Sequence, residues 1–166
     1  RQFGLKIIEP RPALVPLVFS TEQWQKYSQL SGVSLEVSIA NGPGKKAQHF
    51  IEDVLFTHRG LSGPGILQIS SHWDGQSPIY LNLNYKANSE AWLLEEKRTS
   101  KQQLVTILSS IWPKRFAQLW LEQEGFKNDI KIAEVADKSL RELANTITNW
   151  SVTPSGTAGY KKAEAM

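Results

Sequence analysis

Val33-Ser34-Leu35-Glu36-Val37-Ser38-Ile39 decides how the first half of the chain reads. Apolar side chains at 33, 35, 37 and 39 alternate with Ser34, Glu36 and Ser38, the period of a strand with one buried face. A second alternation, Ile79, Leu81, Leu83, Tyr85, sets Asn82 and Asn84 on the opposite face. Between them, Gln48 to Thr57 carries the apolar run Val54-Leu55-Phe56, and Asn41-Gly42-Pro43-Gly44 has the composition of a turn. Upstream, Leu5 to Ile8 is a short apolar strand. Glu9-Pro10-Arg11-Pro12 breaks it, because proline removes a ladder donor and fixes φ. Ala13 to Phe19 is apolar again, and Thr21 to Leu30 reads as a helical turn or a loop. Several short strands separated by turn signals predict a barrel or a sandwich.

The pattern changes after Ala87. Ser89 is placed to cap a short helix through Lys97, and Ser100 with Gln103 has capping-box spacing. Leu104, Ile107, Leu108 and Ile111 then lie on one helical face. Pro113 separates this stretch from a second face, Phe116, Leu119 and Trp120, which Gly125 closes. Asp137 is placed to cap a last helix with the face Leu140, Leu143, Ala144, Ile147. Helices this short need mutual packing to persist, so 89–149 reads as a helical subdomain. After Trp150 the chain becomes extended and glycine-rich and returns to the β part. The predicted organisation is therefore a β subdomain of 1–88 plus 150–166, interrupted by the helical insert.

Composition narrows the function. The net charge of +3 is mild, and its basic residues are interleaved with acidic ones, so no concentrated nucleic-acid face is expected. Cysteine is absent, which excludes disulfides and thiolate zinc sites and suits a reducing, cytoplasmic setting. His49, His58 and His72 lack ligand spacing, so no metal site is expected. No apolar run approaches the ~20 residues of a membrane span. Arg1 at one end and Lys161 to Met166 at the other read as cuts through a longer chain.

The most informative polar stretch is Thr57-His58-Arg59-Gly60-Leu61-Ser62-Gly63-Pro64, at a strand-to-helix junction. Proline suits a first helical position, with Ser62 or Gly63 as cap, and a short helix is predicted from Pro64 to about Ser71. Free N–H groups at such a start favour an anion or a polarised oxygen; the alternative is a tight turn with a satisfied cap. Ser62 lacks the Gly-x-Ser-x-Gly elbow of a hydrolase. Gly42-Pro43-Gly44-Lys45-Lys46 lacks the P-loop pattern. No Gly-x-Gly-x-x-Gly opens a helix, so the dinucleotide fingerprint is missing.

Three motifs in order resemble the middle portion of the YhiN/BaiN-type flavoproteins, which include aminoacetone oxidase-like enzymes. They are Phe3-Gly4, Ile7 and Pro10 to Leu17; Leu55 to Pro64 with Leu67-Gln68-Ile69-Ser70; and Pro154-Ser155-Gly156-Thr157-Ala158-Gly159-Tyr160 through Ala165. The resemblance implies an α+β fold: a six-stranded antiparallel β-barrel of the reductase and translation-factor type carrying the helical subdomain. It also implies a Rossmann-like FAD-binding domain of the same chain as partner, which this domain covers while forming part of a substrate pocket. The parent would be a flavoprotein oxidoreductase, with FAD in the full-length protein, none bound to this segment alone, and a small-molecule substrate. The pocket candidates are Thr57, His58, Gly60, Ser62, Gly63 and Pro64; those for the seam with the flavin domain are Gly156, Thr157 and Gly159. No residue is assigned a catalytic role. The competing reading is a stand-alone β-barrel module binding nucleic acid or a protein partner.

Overall fold

The computed structural model describes residues 16–42 and 49–158. The predicted strand Leu5 to Ile8, its proline break, Pro43-Gly44 and Gly159 lie outside the described residues.

Seven strands form one antiparallel sheet: β1 (Leu17–Val18), β2 (Ser34–Ala40), β3 (His49–Phe56), β4 (Gly60–Ser62), β5 (Ile79–Asn82), β6 (Trp150–Val152) and β7 (Gly156–Thr157). Their spatial order is β6-β5-β2-β3-β4-β1-β7. Leu35, Val37 and Ile39 of β2 are buried, as the alternation requires. β2 and β3 pair along their lengths, from Ser34 opposite Leu55 to Ala40 opposite His49.

The expected six-stranded antiparallel barrel is not seen among the described residues, where the sheet has seven strands and its terminal strands β6 and β7 do not pair with each other. Yet these strands are consecutive in sequence, separated only by residues 153–155. Laid flat, seven strands would put the two edges about 29 Å apart at ordinary strand spacing. The chain from Val152 to Gly156 reaches about 14 Å at most. The sheet must therefore curl until its edges approach, closed by a covalent tether where a barrel would have a ladder.

Among the described residues the named helices are α1 (Thr21–Trp24), α2 (Pro64–Ile69), α3 (Ser89–Thr99), α4 (Leu104–Leu108), α5 (Lys114–Gln123) and α6 (Asp137–Thr148). Short 3-10 turns cover Gln25–Leu30, Ser70–His72 and Ile132–Glu134. Helices α3 to α6 all lie in sequence between β5 and β6, which pair directly, Leu81 opposite Trp150. α3 packs on α6, and α4 on α5.

Several predicted caps are replaced. Asn88, not Ser89, caps α3, its Oδ1 accepting from the Ala91 N–H at 3.0 Å. Ser89 is buried instead, and its hydroxyl accepts from the Asn84 amide. Ser100 accepts from the Gln102 N–H rather than closing a capping box with Gln103. Ala136 is the N-cap of α6, and Asp137 pairs with Lys97 at 2.7 Å, joining α6 to α3. β5 stops at Asn82 because the Asn82 side chain accepts from the Asn84 N–H, turning the chain before Leu83 and Tyr85. α4 likewise ends at Leu108, which leaves Ile111 outside the helix and 37% exposed.

A chain of rings joins the two parts of the molecule. Phe56 of β3 lies 5.4 Å from Phe116 of α5, and Trp150 of β6 lies 5.4 Å from Trp120 of α5. Trp24, stacked on Phe19 at 4.4 Å, reaches Phe56 at 5.9 Å. Each such ring contact adds about 0.5–1.5 kcal/mol beyond burial. Sheet and helices thus share one hydrophobic core.

Candidate functional site

The predicted motif Thr57 to Pro64 spans the β3–β4 turn and the start of α2. Phe56 pairs with Leu61 across that turn. Thr57 closes it: its N–H donates to the Gly60 carbonyl at 2.9 Å, and its hydroxyl both donates to that carbonyl and accepts from the Gly60 N–H, each at 3.1 Å. The Thr57 carbonyl accepts from the Trp24 indole at 2.9 Å, pinning the turn to α1. Thr57 is therefore fully engaged within the protein. His58 and Arg59 stand exposed at the turn tip, and the Arg59 carbonyl accepts from the Phe19 N–H.

The glycines answer to packing. A Cβ on Gly60 would sit 2.0 Å from the Leu17 carbonyl oxygen, so only glycine allows β1 to pair so closely with β4. Gly63 has φ +90, the left-handed region, and a Cβ there would lie 2.9 Å from the Leu55 nitrogen. Gly63 is the N-cap of α2 and supplies no side-chain cap; Pro64 follows at the first helical position. Ser62 is half-buried opposite Leu55. Strand β4 places Thr57, His58 and Gly60 at one end, and Ser62, Gly63 and Pro64 at the other. α2 has only six residues and turns into a 3-10 segment at Ser70, too short for a strong terminal dipole.

The seam candidates lie at the other edge of β1. Leu17 pairs with Thr157, and Val18 with Gly156. Thr157 is buried, whereas a Cβ on Gly156 would meet nothing within 4 Å. Ser155 and Ala158 fix this strand by donating their N–H groups to the Val18 and Pro16 carbonyls, both at 2.9 Å. β7 is thus held on one side and is terminal in the sheet on the other.

The sequence reading missed the surface grooves of the helical part. One, about 770 Å³, lies between the end of α5 and α6. It carries the carboxylates Glu124, Asp129, Glu134 and Glu142 against Lys127 and Lys131. Glu124 is held above its ordinary range, chiefly by desolvation, with opposing contributions from Thr146 and Lys26. A second groove, about 410 Å³, runs between the 3-10 turn Gln25–Leu30 and α5 and is lined by Arg115, Gln118, Phe126 and Asn128. The first groove is lined by residues of 124–143 and the second by the 3-10 turn with residues of 105–128, and in neither does a local spacing mark the lining. Among the described residues no three His, Asp or Glu side chains converge to hold a metal ion, and no helix is long and apolar enough to cross a membrane.

Among the described residues every strand pairing is antiparallel, so they do not form the parallel strand–turn–helix of a Rossmann-type dinucleotide site. What the geometry defines is an α+β domain: a curled antiparallel sheet with a helical unit in which a turn at Gly125 (φ +88), a turn from Lys127 to Ile130 and the 3-10 segment Ile132–Glu134 separate α5 from α6.

The comparisons agree with that class. The family model described as "HI0933-like protein barrel and H2TH domain" matches residues 11–165, and the chain belongs to this family. It is 41% identical over 165 residues to a protein of Haemophilus influenzae named ribosomal RNA dihydrouridine synthase, covering 98% of this chain and 40% of that protein. It is 35% identical over 164 residues to the protein of the same name from Escherichia coli K12, with the same coverage. The chain thus spans about two fifths of the length of these curated relatives.

Proposed function

We propose that this chain is the substrate-side domain of a FAD-dependent oxidoreductase that reduces uridine in ribosomal RNA. The observation that carries the reading is 41% and 35% identity, across 98% of the chain, to two proteins named for that reaction. The flavoprotein resemblance of the three motifs and the family match support the oxidoreductase part. In this reading RNA takes the place of the small-molecule substrate expected from the sequence.

Converting uridine to dihydrouridine adds a hydride to one carbon of the 5,6 double bond and a proton to the other. Flavin, bound by the part of the protein outside this chain, supplies the redox chemistry. This domain binds RNA, orients the target base and excludes water. The exposed His58 at the β3–β4 tip faces the substrate, on a turn kept rigid by Thr57 and Gly60; Ser62, Gly63 and Pro64 continue that wall. Gly156, Thr157 and Gly159 form the seam with the flavin domain, where the open space at Gly156 admits a close backbone neighbour.

The test compares nucleoside mass spectrometry of ribosomal RNA from cells with and without the gene, with complementation by the full-length protein. Loss of dihydrouridine on deletion and its return on complementation are expected. Unchanged dihydrouridine in the deletion strain would overturn the substrate. A full-length protein that purifies without bound flavin would overturn the cofactor.

A further inference from the structure

The 410 Å³ groove between the 3-10 turn and α5 brings together an arginine, a half-buried aromatic ring packed against the core and exposed amides. Arg115 lines it. Its Nη2 donates to the carbonyls of Gln29 (3.2 Å) and Ser31 (2.7 Å), which fixes the plane of the guanidinium. Its other donors have no protein acceptor, and no carboxylate pairs with it among the described residues. A guanidinium anchored this way is preorganised for an anion and costs little further ordering.

Phe126 lies on the same groove, just beyond the end of α5. Gly125 adopts φ +88, the Gly125 N–H donates to Glu122 and the Phe126 N–H to Leu121, so the ring position is set by the helix terminus. Phe126 is only half-buried and makes no ring contact among the described residues. Phe19, Trp24, Tyr27, Phe56, Trp112, Phe116, Trp120 and Trp150, by contrast, all contact other rings. The exposed amides of Gln29, Gln118 and Asn128 line the same groove. Each amide offers a donor and an acceptor, which suits the edge of a base. The exposed Lys114 and Lys127 flank these residues in sequence, and neither is in an ion pair among the described residues.

We infer that this groove binds one unpaired nucleotide of a single-stranded RNA segment, its base stacked on Phe126 and read by the Gln118 and Asn128 amides, its phosphate held by Arg115. Single-stranded RNA is recognised by this combination of aromatic face, amide edge contacts and cationic phosphate contact. The 410 Å³ groove sets one carboxylate, Glu122, against Arg115, whereas the neighbouring 770 Å³ groove sets four carboxylates against two lysines and suits RNA less. The inference rests on the RNA reading above and adds the place where the RNA is held.

The experiment measures binding of a fluorophore-labelled, uridine-rich, single-stranded RNA to the full-length protein by anisotropy at fixed salt. Phe126→Leu, which keeps an apolar side chain at the helix end, and Gln118→Glu, which adds a carboxylate beside the phosphate position, are each expected to weaken binding roughly tenfold, as loss of one stacked base does. Phe126→Trp, with a larger ring, restores or exceeds the wild-type affinity, an outcome a purely structural role for Phe126 would not give. Gln76→Glu, in an exposed turn of the β part, is the control for added charge and leaves affinity unchanged. Melting temperatures of all variants accompany the titrations. Wild-type binding and dihydrouridine formation with undiminished affinity in Phe126→Leu and Gln118→Glu would overturn this groove while leaving the function intact. A full-length protein that neither binds RNA nor alters ribosomal dihydrouridine would remove both.

Discussion

Gly60→Ala tests whether the most informative motif is built for packing. The new methyl carbon would start 2.0 Å from the Leu17 carbonyl oxygen and 2.9 Å from the Val18 Cα, both backbone atoms that no rotamer change can move aside. Reaching an ordinary 3.4 Å contact requires β1 to retreat by about 1.4 Å, the difference between the two distances. β1 is the only bridge between β4 and β7 among the described residues. That retreat strains the Phe19 N–H to Arg59 bond at 3.0 Å and the Ser155 N–H to Val18 bond at 2.9 Å. Overpacking of this kind costs about 1–3 kcal/mol, and each lost hydrogen bond about 0.5–1.5 kcal/mol more. A total of about 3–5 kcal/mol corresponds to a fall in melting temperature of roughly 6–20 °C for a chain of this size. Gly156→Ala is the matched control on the opposite side of β1. Its Cβ meets nothing within 4 Å, so the effect should stay within about 0.5 kcal/mol. Thermal melting followed by tryptophan fluorescence reads both. A Gly60→Ala protein melting within about 2 °C of wild type would refute the reasoning.

The buried tryptophans give a second comparison. The Trp112 indole N–H donates to the Leu83 carbonyl at 2.9 Å, whereas the buried Trp120 indole nitrogen has no acceptor among the described residues. Trp112→Phe should therefore destabilise more than Trp120→Phe by about 1 kcal/mol or more in denaturant titrations; equal losses would contradict the hydrogen-bond assignment. Asp74 accepts from the Ser77 hydroxyl, the Ser77 N–H and the Gln76 N–H, which holds its carboxyl at about 2 against an ordinary 3.8. A lowered carboxyl in the folded state stabilises fully above the ordinary value and stops doing so as pH falls through the lowered one. The Gln76 and Ser77 amide signals should accordingly titrate near pH 2, and a midpoint near 3.8 would count against this turn. In the full-length protein, His58→Ala should lower turnover more than flavin content, because His58 is exposed at a turn whose fold does not depend on it; unchanged kinetics would remove it from the substrate wall.

The parts of the fold that were legible are those in which one residue's environment depends on near neighbours. Leu35, Val37 and Ile39 are buried on one face of β2, and Leu140, Leu143, Ala144 and Ile147 on one face of α6, as their spacings require. Helix ends were harder, because polar residues a few positions apart compete for the same backbone donors. Asn88 takes the cap of α3, leaving Ser89 for the Asn84 amide, and Asp137 joins Lys97 while Ala136 takes the N-cap. Ile111 fits the α4 face by spacing, but the helix ends at Leu108, three residues short. Sheet order was illegible: nothing local in Trp150 to Thr157 announces that two adjacent short strands occupy opposite edges of a seven-stranded sheet.

The same distinction governs the site. The glycines between Gly60 and Gly65 stand out in sequence, and contacts within the chain account for them: Leu17 for Gly60, Leu55 for Gly63, and the Ile39 methyl, 2.4 Å from a Cβ on Gly65. A motif dense in glycine is a record of close approach and carries no statement of what approaches. Arg115, Gln118, Phe126 and Asn128 have no such signature, because each residue type is common on a helical surface. They become a candidate site only when α5, its glycine-closed end and the 3-10 turn bring an anchored guanidinium and an unstacked ring to one groove. Function in this domain is therefore better sought where separate elements bring groups to one groove than in the stretch its sequence makes most conspicuous.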